Sequence, residues 1–91
     1  MARYRKRPVV IDAVQFHVGQ DLPEPFQIVN YGYPVGENES HPLEGKYWVQ
    51  TLEGPLMVRD GDWLVRGTKG EFYPVKPDIF VDIYELVDGG V

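Results

Sequence analysis

Glu53-Gly54, Asp60-Gly61 and Gly67-Thr68-Lys69-Gly70 break the second half of this chain at short, regular intervals. Each pair or cluster supplies glycine where a hairpin turn needs a positive backbone angle. The segments between them are too short to nucleate helices of ordinary length, so they read as strands. The spacing predicts strands over 46–52, 55–59, 62–66 and 71–75, folded as an antiparallel meander. Pro74 has no N–H to give to a ladder and should confine the fourth of these to an edge.

Upstream, Pro8-Val-Val-Ile-Asp-Ala-Val-Gln-Phe16 is rich in β-branched and apolar residues and reads as a strand covered on both sides. From Asp21 to Tyr33 the pattern changes: Asp21 can cap, Pro23 and Pro25 suit a first turn, and Phe26, Val29 and Tyr33 follow at near-helical spacing before Gly32 ends the run. A short helix is expected there. Residues 34–45 are polar and acidic without periodicity, and predict a loop. Lys76-Pro77-Asp78-Ile79-Phe80 predicts a one-turn helical or 3₁₀ corner, 81–87 a last strand, and 88–91 a frayed tail.

These elements predict an α+β, β-dominated fold: an antiparallel meander or small half-open barrel with one short helix. The expectation is a single domain over 1–91, with a basic arm at 1–7. Hydrophobic residues make up 43% of the chain, enough to fold. A core of this size supplies only about 3–5 kcal/mol unaided, so homo-oligomerisation is expected.

Charge and composition exclude several function classes. The net charge is −5, of which Arg3, Arg5, Lys6 and Arg7 contribute +4, leaving −9 on the rest. An acidic body beside so short a basic arm argues against nucleic-acid binding, which needs several phosphate contacts. The absence of cysteine removes disulfides and thiolate chemistry and suits a reducing compartment, the cytoplasm. The apolar run after the basic arm is too short for an export signal, and no stretch approaches a membrane span. His17 and His41 stand far apart, without metal-ligand spacing; a loose cation site at His41, Glu37, Glu39 and Glu44 is outweighed by solvated loop charge. Ser40, Thr51 and Thr68 lack the context of an activated nucleophile. No enzyme activity, metal or cofactor is expected.

The segment with the densest chemistry runs from Trp63 to Asp78. Between Trp63 and Asp78 the chain places Arg66, Lys69, Glu71, Tyr73, Lys76 and Asp78 around Phe72, with Trp48 and Tyr47 one or two strands away. Cations beside aromatic rings suit an anionic planar ligand of nucleotide type, through stacking and charge-assisted hydrogen bonds. The competing reading makes the rings core and the charges solvated rims paired with one another. The ligand surface requires that consecutive ribbons bring Arg66, Tyr73 and Lys76 onto one side of the sheet.

Asp60-Gly-Asp-Trp-Leu-Val-Arg-Gly67, Lys69-Gly-Glu-Phe-Tyr-Pro74, Lys76-Pro-Asp-Ile-Phe80, Tyr4-Arg-Lys-Arg-Pro-Val-Val10 and Tyr47-Trp-Val-Gln-Thr-Leu-Glu-Gly54 resemble a family of small phage and prophage proteins named for a Pro-Gly-Asp-Tyr-Gly signature. This chain departs from that signature with Asp60, Trp63 and Leu64 in place of the proline, the tyrosine and the final glycine. The resemblance implies viral origin, a host-cytoplasmic location and an accessory role. Two readings follow. One is a non-enzymatic binding module that engages a host or viral protein, and the other a binder that sequesters a nucleotide-type signal of host defence.

Overall fold

The computed structural model describes residues 1–30 and 47–87. Among them stand six strands and one helix: β1 (Asp12–Gln15), β2 (Val29–Asn30), β3 (Tyr47–Thr51), β4 (Gly54–Met57), β5 (Trp63–Arg66), β6 (Phe72–Val75) and α1 (Pro77–Ile83). The fold is α+β and β-dominated. Its strands form two antiparallel three-stranded sheets, ordered β1-β5-β6 and β2-β3-β4. The predicted loop at 34–45 and the predicted tail at 88–91 lie outside the described residues.

The predicted run of adjacent ribbons holds only in part. β3 and β4 form a hairpin through Leu52-Glu53, with Thr51 opposite Gly54, and β5 and β6 form another, with Arg66 opposite Phe72. Between them, however, the chain changes sheets, so β4 and β5 are not neighbours. The reversal at Arg59–Asp62 makes this crossing. The Asp62 N–H donates to the Arg59 carbonyl at 3.0 Å, and Gly61 takes φ +90°, which the third position of such a turn favours only for glycine. The Gly61 N–H then donates to the Phe16 carbonyl at 2.7 Å, and the Phe16 N–H to the Asp62 carbonyl at 2.8 Å. This stitching delivers the next strand to β1 rather than to β4.

Cross-strand register fixes which side chains share a face, because side chains alternate along a strand. One face of the β1-β5-β6 sheet carries Val14, Leu64 and Pro74, with Asp12, Arg66 and Phe72 at its end. Leu64 and Phe72 there meet Val49 and Tyr47 from the second sheet and Val58 just after β4, together with Phe16 and Phe26. This is the core, and Leu64 within it is wholly buried. The opposite face carries Ala13, Val65 and Tyr73, then Gln15, Trp63 and Val75. Phe80 and Tyr84, one turn apart on and just after α1, lie against Trp63 and Tyr73 on that face.

Three further expectations are corrected. The helix predicted in 21–33 is absent from its described part: residues 21–28 turn irregularly and β2 follows. Two prolines without N–H groups weaken a helix there, and Phe26 and Ile28 enter the core while Gln27 and Val29 remain exposed, an alternation of two. The strand predicted at 8–16 shrinks to Asp12–Gln15, since β5 offers only four partners before the chain turns at Gly67. The strand predicted at 81–87 is not formed. Val81, Asp82 and Ile83 extend α1, and the residues beyond are irregular. Pro77 occupies the first turn with Asp78, both favourable there, while ring contacts from Phe80 and Tyr84 select the helical period over the β-branched composition.

Candidate functional site

The register separates the predicted charged and aromatic cluster. Arg66 shares a face with Phe72, its guanidinium 6.0 Å from that ring, whereas Trp63 and Tyr73 occupy the face beneath α1. Trp48 belongs to the other sheet and alternates with the buried Val49, so it points away from the core and from Trp63. Arg66 and Tyr73 therefore have no common surface.

The remaining members have local duties. The Glu71 carboxylate accepts the Lys69 N–H at 3.2 Å and folds over the 67–70 turn, while the Glu71 carbonyl accepts the Gly67 N–H at 2.7 Å. A Cβ at Gly67 would collide with the Glu71 carboxylate, so glycine there leaves room for that clasp. Lys69 is exposed at the hairpin tip. Lys76 donates to Asp62 Oδ2 at 3.1 Å and Oδ1 at 3.4 Å. The Asp62 side chain is only 4% exposed, and its Oδ2 also accepts the Arg59 N–H at 3.0 Å. Sequence reasoning missed this carboxylate, which ties the sheet-crossing turn to the start of α1. Asp78 is exposed in the first turn of α1, apart from the other cluster residues' contacts.

What the structure does bring together is an aromatic stack. Trp63 lies parallel to Phe80, Phe80 tilts against Tyr84 with centroids 4.9 Å apart, and the hydroxyls of Tyr84 and Tyr73 are 3.2 Å apart. Lys6, from the N-terminal arm, places its ammonium 5.3 Å from the Tyr84 ring centroid. Burial, then the hydrogen bond to Tyr84 and the charges of Tyr84 and Glu71, push the Tyr73 phenol up to about 12. Only one signal in the sequence pointed to this stack: Phe80 and Tyr84 stand four residues apart.

Phe80 of α1 and Tyr84 just after it turn to the sheet, while the apolar residues beside them stay exposed. Ile79, Val81 and Ile83 are 47%, 68% and 53% exposed, and Leu86 and Val87 beyond the helix are more than half exposed as well. No residue of α1 is buried. Exposed acidic residues Asp78, Asp82 and Glu85 alternate with these apolar ones. A groove of about 420 Å³ lies elsewhere, lined by Phe16, Leu22, Phe26 and Tyr47 with Gln20 and Asp21. Among the described residues lining it there is no Lys or Arg. Among the described residues, too, no group of three or more histidines and carboxylates could hold a metal ion. The acidic loop with His41 falls outside them. No helix among the described residues is long and apolar enough to cross a membrane.

Compared with known protein families, with curated proteins and with solved structures, the chain gives no match. Its class rests on its own architecture, a small β-dominated α+β domain with an acidic, apolar C-terminal face.

Proposed function

We propose that this chain is a non-enzymatic interaction module, an accessory protein of phage type working in the host cytoplasm, whose contact surface is the outer side of α1 and the segment after it. The observation that carries this reading is the exposure of Ile79 and Ile83 on one flank of α1, of Val81 on the other, and of Leu86 and Val87 just beyond the helix. Apolar side chains gathered with charged neighbours are the make-up of a protein-binding surface, and single scattered ones are not. The phage assignment rests on the sequence resemblance alone, carried by residues 4–10, 47–54, 60–67, 69–74 and 76–80.

The alternative, a binder of nucleotide-type signals, asks Arg66, Tyr73 and Lys76 to converge. Arg66 and Tyr73 occupy opposite faces and Lys76 is engaged by Asp62, so the geometry lends that reading less support.

A photo-reactive phenylalanine analogue at Val81 tests the interaction reading. On irradiation, in host lysate and in the purified protein, it should give polypeptide adducts that mass spectrometry identifies. The adducts should disappear when Ile79→Asp and Ile83→Asp are added to a chain that keeps its circular dichroism spectrum. Absence of any adduct in both preparations would remove the reading.

A further inference from the structure

We propose that the polypeptide covering the outer side of α1 is the basic N-terminal arm of a second copy of this chain, exchanged reciprocally across a two-fold axis. The inference rests on the reading of α1 as a contact surface and names its occupant.

The two surfaces are complementary in charge and in apolar content. Residues 3–10 present Arg3, Arg5, Lys6 and Arg7 interleaved with Tyr4, Val9 and Val10, and the last three are 94%, 49% and 75% exposed. Residues 78–87 present Asp78, Asp82 and Glu85 interleaved with Ile79, Val81, Ile83, Leu86 and Val87, all exposed. Each segment would bury apolar surface against the other while its charges meet opposite charges at the rim. An isologous dimer makes this contact twice, because both copies carry both segments.

The chain's own arm does not do this work. Its Lys6 lies over the Tyr84 ring, just past the C-terminal end of the helix. Tyr4 and Val10 are left in solvent, and so are Ile83 and Leu86. The intrachain contact brings arm and helix to one side of the molecule without covering the face, as reciprocal exchange requires. Pairing would also compensate for a small core: among the described residues the buried apolar side chains are Phe16, Phe26, Val49, Val58, Leu64 and Val65.

The test uses the full chain and two charge-reversed forms in sedimentation velocity and light scattering. One form carries Arg3→Glu, Arg5→Glu and Arg7→Glu; the other carries Asp78→Lys, Asp82→Lys and Glu85→Lys. The unmodified chain should be dimeric, and its dissociation constant should rise with salt as rim charges are screened. Each reversed form alone places like charges across both contacts, and its dissociation constant should rise at least about tenfold. Mixed together, the two forms restore opposite charges at both contacts and should yield a heterodimer. Arm substitutions lie outside every strand and helix, so they remain informative even if lysines in the first turn loosen α1. A monomer throughout about 10–500 µM, dimers indifferent to reversal, or no heterodimer on mixing would each overturn the proposal. If the purified chain is monomeric but the Val81 probe still captures a polypeptide in lysate, the contact surface stands and its occupant is not a second copy. If the probe captures nothing, both fail.

Discussion

The indole of Trp63 and the ring of Phe80 lie face to face, centroids 4.1 Å apart and planes 4° from parallel. Trp63 opens β5, the central strand of its sheet, and Phe80 sits mid-way along α1, so this pair decides on which side of the sheet the C-terminal segment lands. With Phe80 and Tyr84 facing inward one turn apart, the helical period makes Asp78 and Asp82 outermost and leaves Ile79 and Ile83 on one flank and Val81 on the other.

Phe80→Ala should detach α1 from the sheet while leaving the two-sheet core in place. A loss of about 2 kcal/mol is expected, below the full cost of a buried aromatic because Phe80 is only half-buried. Urea unfolding followed by tryptophan fluorescence measures it, and amide exchange should quicken selectively over 77–84.

Alkali should weaken the fold through Tyr73. Its phenol ionises near 10 in the unfolded chain and only at about 12 in the folded one. Below pH 10 both states keep the proton and the stabilisation is fully present. Between pH 10 and 12 the unfolded state releases it while the folded state does not, so stability falls as pH rises. Tyr73→Phe should flatten this limb, which melting temperatures from pH 9 to 12 would register.

Asp62→Ala removes the acceptor for the Arg59 N–H and the partner of Lys76 at once. A cost of about 2 kcal/mol is expected for the unsatisfied turn and the lost charge-assisted bonds. Lys76→Met should cost less, about 1 kcal/mol, since the lysine is half exposed and water screens the pair. Chemical denaturation of both variants gives the ordering, and the reverse ordering would contradict this account of the turn.

Gly61→Ala tests the crossing between sheets. A Cβ there would find room, with Pro77 Cγ at an ordinary 3.8 Å, so the penalty comes from φ +90° and should be about 1–2 kcal/mol. Faster hydrogen exchange of the Phe16 amide and of the amide at position 61 would accompany it.

Turn chemistry and apolar composition were legible in the chain. Glycine at 54, 61 and 70 takes positive φ in the structure, at or beside turns the sequence predicted, and β6 with its Pro74 is an edge strand as expected. The candidate site was less legible. A local pattern states that a chain reverses but not which strand receives it, and the hydrogen bonds of Gly61 and Asp62 to Phe16 span more than forty residues of sequence. That choice put Arg66 and Tyr73 on opposite faces. The helical start at 76–80 was legible from Pro77 and Asp78, but Val81, Ile83 and Val87 have the composition of a strand, and ring contacts with a distant tryptophan and tyrosine accompany the continuation of the helix to Ile83.

The sequence by itself determined where the described chain could bend and that strands would dominate, because backbone angles at glycine and proline are local properties. Only the tertiary structure decided which strands became neighbours, which face each charge occupied, and that the apolar residues flanking Phe80 on α1 would be left exposed. Those outcomes depend on packing between residues far apart in the chain, where burial of Leu64, Phe16 and Val49 in one core outweighs the preference of any single segment.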